Sequence, residues 1–178
     1  ETPGTFDTHA RASFSFADAE DGGYLNHTYP NTVMDFTKAS ELSPVPVISH
    51  ETGQFQVYPN YAEMEKYTGV LKPWNMAVFK RRLEAAGMAD QAADFMKASG
   101  TWAAILYRAD MEMNLRTYPW GGFQLLDLQD YPGQGSAYVG VLDAFMDSKG
   151  LITPEEWRQS CSEVVPLFIA EKFCWSGG

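Results

Sequence analysis

Hydrophobic residues recur along this chain in two patterns: short apolar runs of strand length and longer stretches with helical spacing. The strand pattern covers residues 12–19, 44–49 and 122–128. The first run alternates small or polar residues with aromatic ones. In the second, Val47 and Ile48 are suited to burial on both faces of a parallel sheet.

Helical spacing predicts five helices between and after these strands. They are expected over residues 32–42, 74–86, 90–99, 101–116 and from 153 onward. Gly87 is expected to end the second helix, and Thr153-Pro-Glu-Glu is typical of a helix start. The fourth helix should bury one stripe of its surface. The stripe consists of Trp102, Ile105, Leu106, Met111 and Leu115.

The order strand, helix, strand, several helices, strand, helix is the alternation of a parallel α/β protein. Neither an internal repeat, nor a low-complexity segment, nor a linker divides the sequence. Residues 1–178 are therefore expected to form one domain, and the length suffices for an ordinary core.

Composition narrows the class of partner. Thirteen basic and 23 acidic residues give a net charge of −10, which argues against nucleic acid and anionic membranes as partners. An uncharged or weakly charged ligand is favoured. No apolar run approaches the length of a membrane span. Cys161 and Cys174 are expected to be buried free thiols and leave the compartment open.

Glu51 is the strongest candidate for a catalytic carboxylate. It follows the apolar run 44–49 and stands between His50 and Gln54, so its side chain is expected to project from the carboxyl end of a strand into a pocket. The alternative is a helix-capping or surface glutamate. Gly53 and the β-leaning residues beyond it leave no helix for Glu51 to cap.

Two further carboxylates, Asp127 and Asp130, come at the end of the third predicted strand. Gly121 and Gly122 at its start allow another backbone to approach closely, and residues 132–135 form a turn rich in Gly and Pro. One aspartate is expected to bind the ligand or a catalytic residue. For the other, stabilisation of the turn is equally expected.

Metal and cofactor chemistry is not expected. His50-Glu51 begins like a zinc-protease motif, but Gln54 stands where the second histidine is required. His9 and His27 are the remaining histidines. A serine-hydrolase elbow, a phosphate loop and a dinucleotide fingerprint are all absent from the sequence.

The sequences Ser-His-Glu-Thr-Gly at 49–53 and Gly-Gly-Phe-Gln-Leu-Leu-Asp-Leu-Gln-Asp at 121–130 resemble the last two barrel strands of family 2 glycoside hydrolases. This family includes β-galactosidases, β-glucuronidases and β-mannosidases. The resemblance extends over about residues 9–170 and is closest to large multidomain members from Bacteroidetes. It implies a (β/α)8 TIM barrel, retaining hydrolysis of a β-linked glycan with Glu51 as nucleophile, and a periplasmic or secreted location.

Two departures from the family limit this expectation. Leu125 and Leu126 stand where better-known members carry tryptophan, so the sugar cannot be inferred. The family's acid/base glutamate follows an asparagine, and this chain has no Asn-Glu pair. The chain therefore resembles strands six to eight of a barrel from a longer polypeptide. It is expected to be inactive alone and to associate with the remainder of the barrel or with another copy.

The resemblance also implies a carbohydrate substrate held by side chains from three loops. The expected binding residues are His27, Tyr29 and Asn31; His50, Gln54, Tyr58 and Asn60; and Gln124, Asp127, Gln129 and Asp130. A carbohydrate-binding domain without catalysis is the alternative, since it needs the same groups but no second carboxylate. An aldolase-like barrel is weaker, because no lysine ends a predicted strand.

Overall fold

The computed structural model describes residues 8–9, 29–42, 44, 46–126 and 128–172. Its strands are β1 (Thr8–His9), β2 (Val47–Gly53) and β3 (Trp120–Leu126). Its helices are α1 (Thr37–Leu42), α2 (Trp74–Ala85), α3 (Ala92–Arg116) and α4 (Pro154–Arg158), with 3₁₀ turns at Tyr61–Lys66 and Ala89–Gln91. The described chain is thus a mixed α/β structure.

The three strands form one parallel sheet in the order β1-β2-β3. This confirms the predicted parallel pairing of the two longer strands. The register between them is interrupted twice. The first interruption lies at Gly121, where an added Cβ would meet the Ile48 side chain and the Val47 carbonyl oxygen at 2.9 and 3.0 Å. The predicted close approach at this glycine is confirmed.

The chain folds into two compact units, although it contains no linker. The first unit takes the chain up to Gly53, Ile105–Leu126 and the residues from Pro154 onward. The second takes Gln54–Ala104 and Asp127–Thr153. One boundary falls directly after β2 and another falls inside α3. Because the boundaries lie within or beside regular elements, no change of composition marks them in the sequence.

The core of the first unit lies between the sheet and the second half of α3. Tyr107, Met111 and Met113 are fully buried. Asn114, also on α3, is buried and links two elements: its amide donates to the Asp110 carbonyl oxygen at 2.8 Å, and its oxygen accepts from Trp120 Nε1 at 2.7 Å. These contacts fix β3 against the helix.

The second unit has its own core, made from α2, the 3₁₀ turn Tyr61–Lys66 and the segment after β3. Its buried apolar residues include Phe55, Val57, Met76, Leu83 and Val139. Three carboxylic acids, Glu63, Asp130 and Asp143, are buried in the same unit. Burial of acids is unusual and requires compensating partners.

Helix α3 differs from the two shorter helices expected at 90–99 and 101–116. It is one helix of 25 residues that continues through Gly100. A Cβ at Gly100 would overlap the Leu151 side chain, so glycine is needed there for close packing rather than to end a helix.

The predicted buried stripe of this helix is only partly right. Leu106 and Met111 are buried, but Trp102, Ile105 and Leu115 are more than 40% exposed. Other buried positions of the helix are occupied by Ala103, Tyr107, Ala109, Asp110, Met113 and Asn114.

Several predicted boundaries also shift. β2 extends to Gly53, beyond the expected end at Ser49. Glu51 therefore lies within the strand, near its carboxyl end, rather than after it. Ile48 is 47% exposed while Val47 and Ser49 are buried, so burial on both faces of β2 is wrong. α4 ends at Arg158, so Cys161 lies outside it. Cys161 is free and exposed, so its predicted burial is wrong, and Cys174 lies outside the described residues. The strand predicted at 12–19 lies outside the described residues.

α2 matches its prediction, and Gly87 with φ +71° follows its last turn. Among the described residues, no helix combines the length and apolarity that crossing a membrane would require.

Candidate active site

Glu51 lies at a β-bulge near the carboxyl end of β2. Ser49 pairs with Phe123 and Thr52 pairs with Leu125, so two residues of β2, His50 and Glu51, stand opposite one residue of β3. A bulge of this kind inserts an extra residue, bends the strand and redirects a side chain. Bulges are frequent at barrel rims and beside active sites.

The backbone at this strand end is held in an uncommon conformation. Glu51 has φ +53°, Gly53 φ +103° and Gln54 φ +66°. A non-glycine residue with positive φ is disfavoured and persists only where the surrounding structure enforces it. Gly53 is such a constraint: a Cβ there would overlap the Tyr107 ring, which presses the strand end against α3.

Of the predicted binding residues, Gln124 is the one that strand pairing places opposite Glu51. It lies on β3 between Phe123 and Leu125, opposite the bulge. Glu51 is partly buried and Gln124 is exposed. The two neighbours of the bulge on β2, Ser49 and Thr52, are fully buried, and their hydroxyl groups have no hydrogen-bond partner among the described residues.

The other predicted residues of the first unit have different surroundings. Tyr29 is 81% exposed. The Asn31 side-chain oxygen accepts hydrogen bonds from the backbone of Val33 and Met34, at 3.1 and 2.9 Å, and so stabilises a turn. His27 lies outside the described residues, and so does the side chain of His50. Asp127, which belongs to the second unit, also lies outside them.

Five of the described binding residues that the sequence predicts belong to the second unit instead. They are Gln54, Tyr58, Asn60, Gln129 and Asp130. Asn60 is exposed, and its side chain accepts from the Ala62 backbone at 3.1 Å, capping the 3₁₀ turn. Gln129 is exposed and forms an isolated parallel β-bridge with Leu142. The predicted set is therefore divided between the two units.

Asp130 lies past the end of β3 rather than at it, and it is buried within the second unit. Its Oδ1 accepts from the Gly140 backbone at 3.0 Å and from Lys149 Nζ at 2.6 Å. Burial raises the pKa of Asp130, although Lys149 opposes that shift. Its second oxygen is buried without a hydrogen-bond partner among the described residues.

Glu63 and Asp143 form a buried acidic cluster with Asp130, which sequence reasoning missed. Burial, followed by the charges of Asp143 and Asp130, raises the pKa of Glu63 to about 7. Burial opposes ionisation of Asp143 too, but hydrogen bonds from Lys66 and from two backbone amides outweigh it and lower the pKa of Asp143.

No sequence motif marks the cluster, because its members are spread over residues 63–143. A weak signal is present in Lys66 and Lys149, whose ammonium groups reach Asp143 and Asp130. Within the described part of the chain, no group of three or more His, Cys, Asp or Glu side chains has an arrangement that could hold a metal ion.

Tyr58 lines a cavity of about 550 Å³ inside the second unit. Its hydroxyl shares a hydrogen bond of 2.7 Å with Tyr61, and its ring packs edge-on against Phe95. The cavity walls are mostly apolar, so this side chain is placed among hydrophobic neighbours rather than among amides and carboxylates.

No protein-family model matches this sequence, and no curated protein matches it.

Proposed function

We propose that this chain supplies the nucleophile of a retaining glycoside hydrolase acting on a β-linked glycan, with Glu51 as that nucleophile. The observation that carries the proposal is the position of Glu51: a carboxylate with positive φ, at a bulge, near the carboxyl end of the central described strand of a parallel sheet. Backbone strain at polar residues near a strand end is typical of functional sites.

The proposed reaction has two steps. The Glu51 carboxylate attacks the anomeric carbon, the bond to the leaving oxygen breaks, and a covalent glycosyl-enzyme forms. Water then attacks the same carbon and releases Glu51. A second carboxyl group, about 5 Å from the first, protonates the leaving oxygen and later deprotonates the water.

We place that second carboxyl group in the remainder of a (β/α)8 barrel, outside this chain. The exposure of Ile48 on β2, next to buried Val47 and Ser49, supports this assignment, because one face of the sheet is covered and the other is open among the described residues. A periplasmic or secreted location is part of the same proposal.

A covalent probe tests Glu51 without requiring the acid/base residue. In 2,4-dinitrophenyl 2-deoxy-2-fluoro-β-glycosides, the leaving group departs without a proton and the fluorine slows release of the intermediate. We expect one of the galactoside, glucoside, mannoside or glucuronide probes to leave a single sugar adduct on Glu51, detected by intact mass and peptide mapping. The same chain should not hydrolyse unactivated alkyl glycosides.

Glu51→Gln should abolish the adduct, whereas Glu155→Gln, which changes an exposed glutamate of α4 in the same unit, should leave it unchanged. The probes are applied both to this chain and to the longest natural polypeptide that contains it. An adduct on another residue, or none on Glu51 in either protein, refutes the nucleophile. Saturable sugar binding without an adduct favours the non-catalytic carbohydrate-binding domain.

A further inference from the structure

The cavity of the second unit has the size of a small-molecule site and opens widely to solvent. Its volume of about 550 Å³ lies in the range typical of ligand pockets. The segment 56–59, helix α2 and two short stretches around Ser99 and Tyr138 form its walls. Tyr58 is the one described wall residue in the predicted sugar-binding set. The wall residues belong to the second unit and Glu51 to the first, so the cavity needs a separate explanation.

Aromatic rings with fixed positions form much of the wall. The Tyr138 hydroxyl is hydrogen-bonded to Asn75, and its ring contacts Phe79 edge-on with centroids 6.3 Å apart. The Tyr58 hydroxyl is engaged by Tyr61, and the Tyr58 backbone donates to Ser99 Oγ at 2.8 Å. Because these polar atoms are already bonded, the rings offer mainly their apolar surfaces to a ligand.

Among the described residues, only one charged side chain lines the cavity. Arg82, in the last turn of α2, is exposed and forms no ion pair with any described residue. Arg81 precedes it in the helix but does not line the cavity. An unpaired guanidinium beside a predominantly apolar wall is complementary to an anion with an apolar body.

We propose that this cavity binds a small amphiphilic anion, with a flat aromatic or acyl body among Tyr58, Phe79 and Tyr138 and one carboxylate or sulfonate group paired with Arg82. A neutral sugar is a poorer ligand here, because hydroxyl groups need several free donors and acceptors. The cavity wall offers few donors and acceptors that are not already hydrogen-bonded. This site is independent of the proposed glycosidase nucleophile.

The test uses 1-anilinonaphthalene-8-sulfonate as the anionic probe and N-phenyl-1-naphthylamine as its neutral counterpart, both followed by fluorescence. We expect saturable binding of the sulfonate to the intact chain. Arg82→Gln should weaken it about tenfold, as expected for loss of a charge-assisted hydrogen bond. The matched variant Arg81→Gln should bind the sulfonate as tightly as the parent does. The neutral probe should bind equally well to the Arg81 and Arg82 variants.

Two variants test whether the probe occupies this cavity. Phe79→Ala removes part of the wall, and Ala86→Phe fills the space without deleting a buried group. Each variant should weaken the binding of both probes. Near-ultraviolet circular dichroism checks that the packing is retained. Equal losses in the Arg81 and Arg82 variants, or binding unaffected by Ala86→Phe, would overturn the proposal. A sulfonate affinity that falls as the protein self-associates would assign the cavity to a second copy instead.

Discussion

At the residue scale, Glu63 shows how burial controls a charge. It is 4% exposed, and one of its carboxyl oxygens has no hydrogen-bond partner among the described residues. Its pKa is raised from 4.5 to about 7, first by burial and then by Asp143 and Asp130, while Lys149 acts in the opposite direction. The folded protein therefore binds a proton on Glu63 more tightly than the unfolded chain does.

The sign of the resulting pH dependence follows from this difference. Below pH 4.5 the carboxyl is protonated in both states, and its full contribution to stability is present. As the pH rises towards 7, the unfolded chain loses this proton first, so the free energy of unfolding decreases. Above the folded pKa the decrease is complete, at about 3 kcal/mol.

Glu63→Gln should remove this dependence, because a neutral amide resembles the protonated acid. We expect the variant to be more stable than the parent by up to about 3 kcal/mol at pH 8 and nearly equal at pH 4, measured by urea unfolding. Glu65→Gln, an exposed change in the same 3₁₀ turn, should show little difference at either pH. A constant difference between parent and Glu63→Gln at the two pH values would contradict the assignment.

At the scale of elements, the 3₁₀ turn Tyr61–Lys66 carries both Glu63 and Lys66 into the second unit. Asn60 stands at its start with an extended backbone, and its side-chain oxygen accepts from the Ala62 amide. This is the arrangement of a helix N-cap, which satisfies a backbone donor that would otherwise lack a partner. The residue was predicted to bind sugar, and in the fold its observed contact is structural.

Asn60→Ala should lower the free energy of unfolding by about 1 kcal/mol, because the capping oxygen is lost. Asn60→Asp retains that oxygen and should change stability only slightly. Urea unfolding of the two variants checks both expectations. If the aspartate variant were as destabilised as the alanine variant, the amide donor rather than the cap would be the important group.

For the whole molecule, the open sheet is the feature with the largest consequence. Among the described residues, β3 pairs only with β2, and Ile48 on β2 is exposed. In the first unit, Val164, Phe168 and Ile169 are also 70% exposed or more. Unpaired strand edges and exposed apolar side chains favour pairing with another chain.

We therefore expect the isolated chain to self-associate. Size-exclusion chromatography with light scattering should give a mass above that of one chain, increasing with protein concentration. Addition of the remaining barrel segments, if the chain belongs to a barrel, should reduce that association. A folded species with the mass of one chain at every concentration would show that the open sheet is tolerated without a partner.

The sequence by itself determined the elements whose causes are local. An apolar run predicted β2, helical spacing followed by Gly87 predicted α2, and Pro154 after Thr153 predicted the start of α4. The placement of Glu51 near a strand end belongs to the same class, since it depends on residues within a few positions of it. These features follow from backbone preferences and short-range periodicity.

Tertiary structure decided everything that depends on distant residues. Gly100 continues a helix because Leu151 packs against it, and the bulge at Glu51 exists only through pairing with β3, about 70 residues later. The pKa of Glu63 is raised by burial and then by the charges of Asp143 and Asp130, which come from another part of the chain. Register, the exact pattern of burial and charge coupling are set by contacts across the fold, and periodicity along the sequence does not specify them.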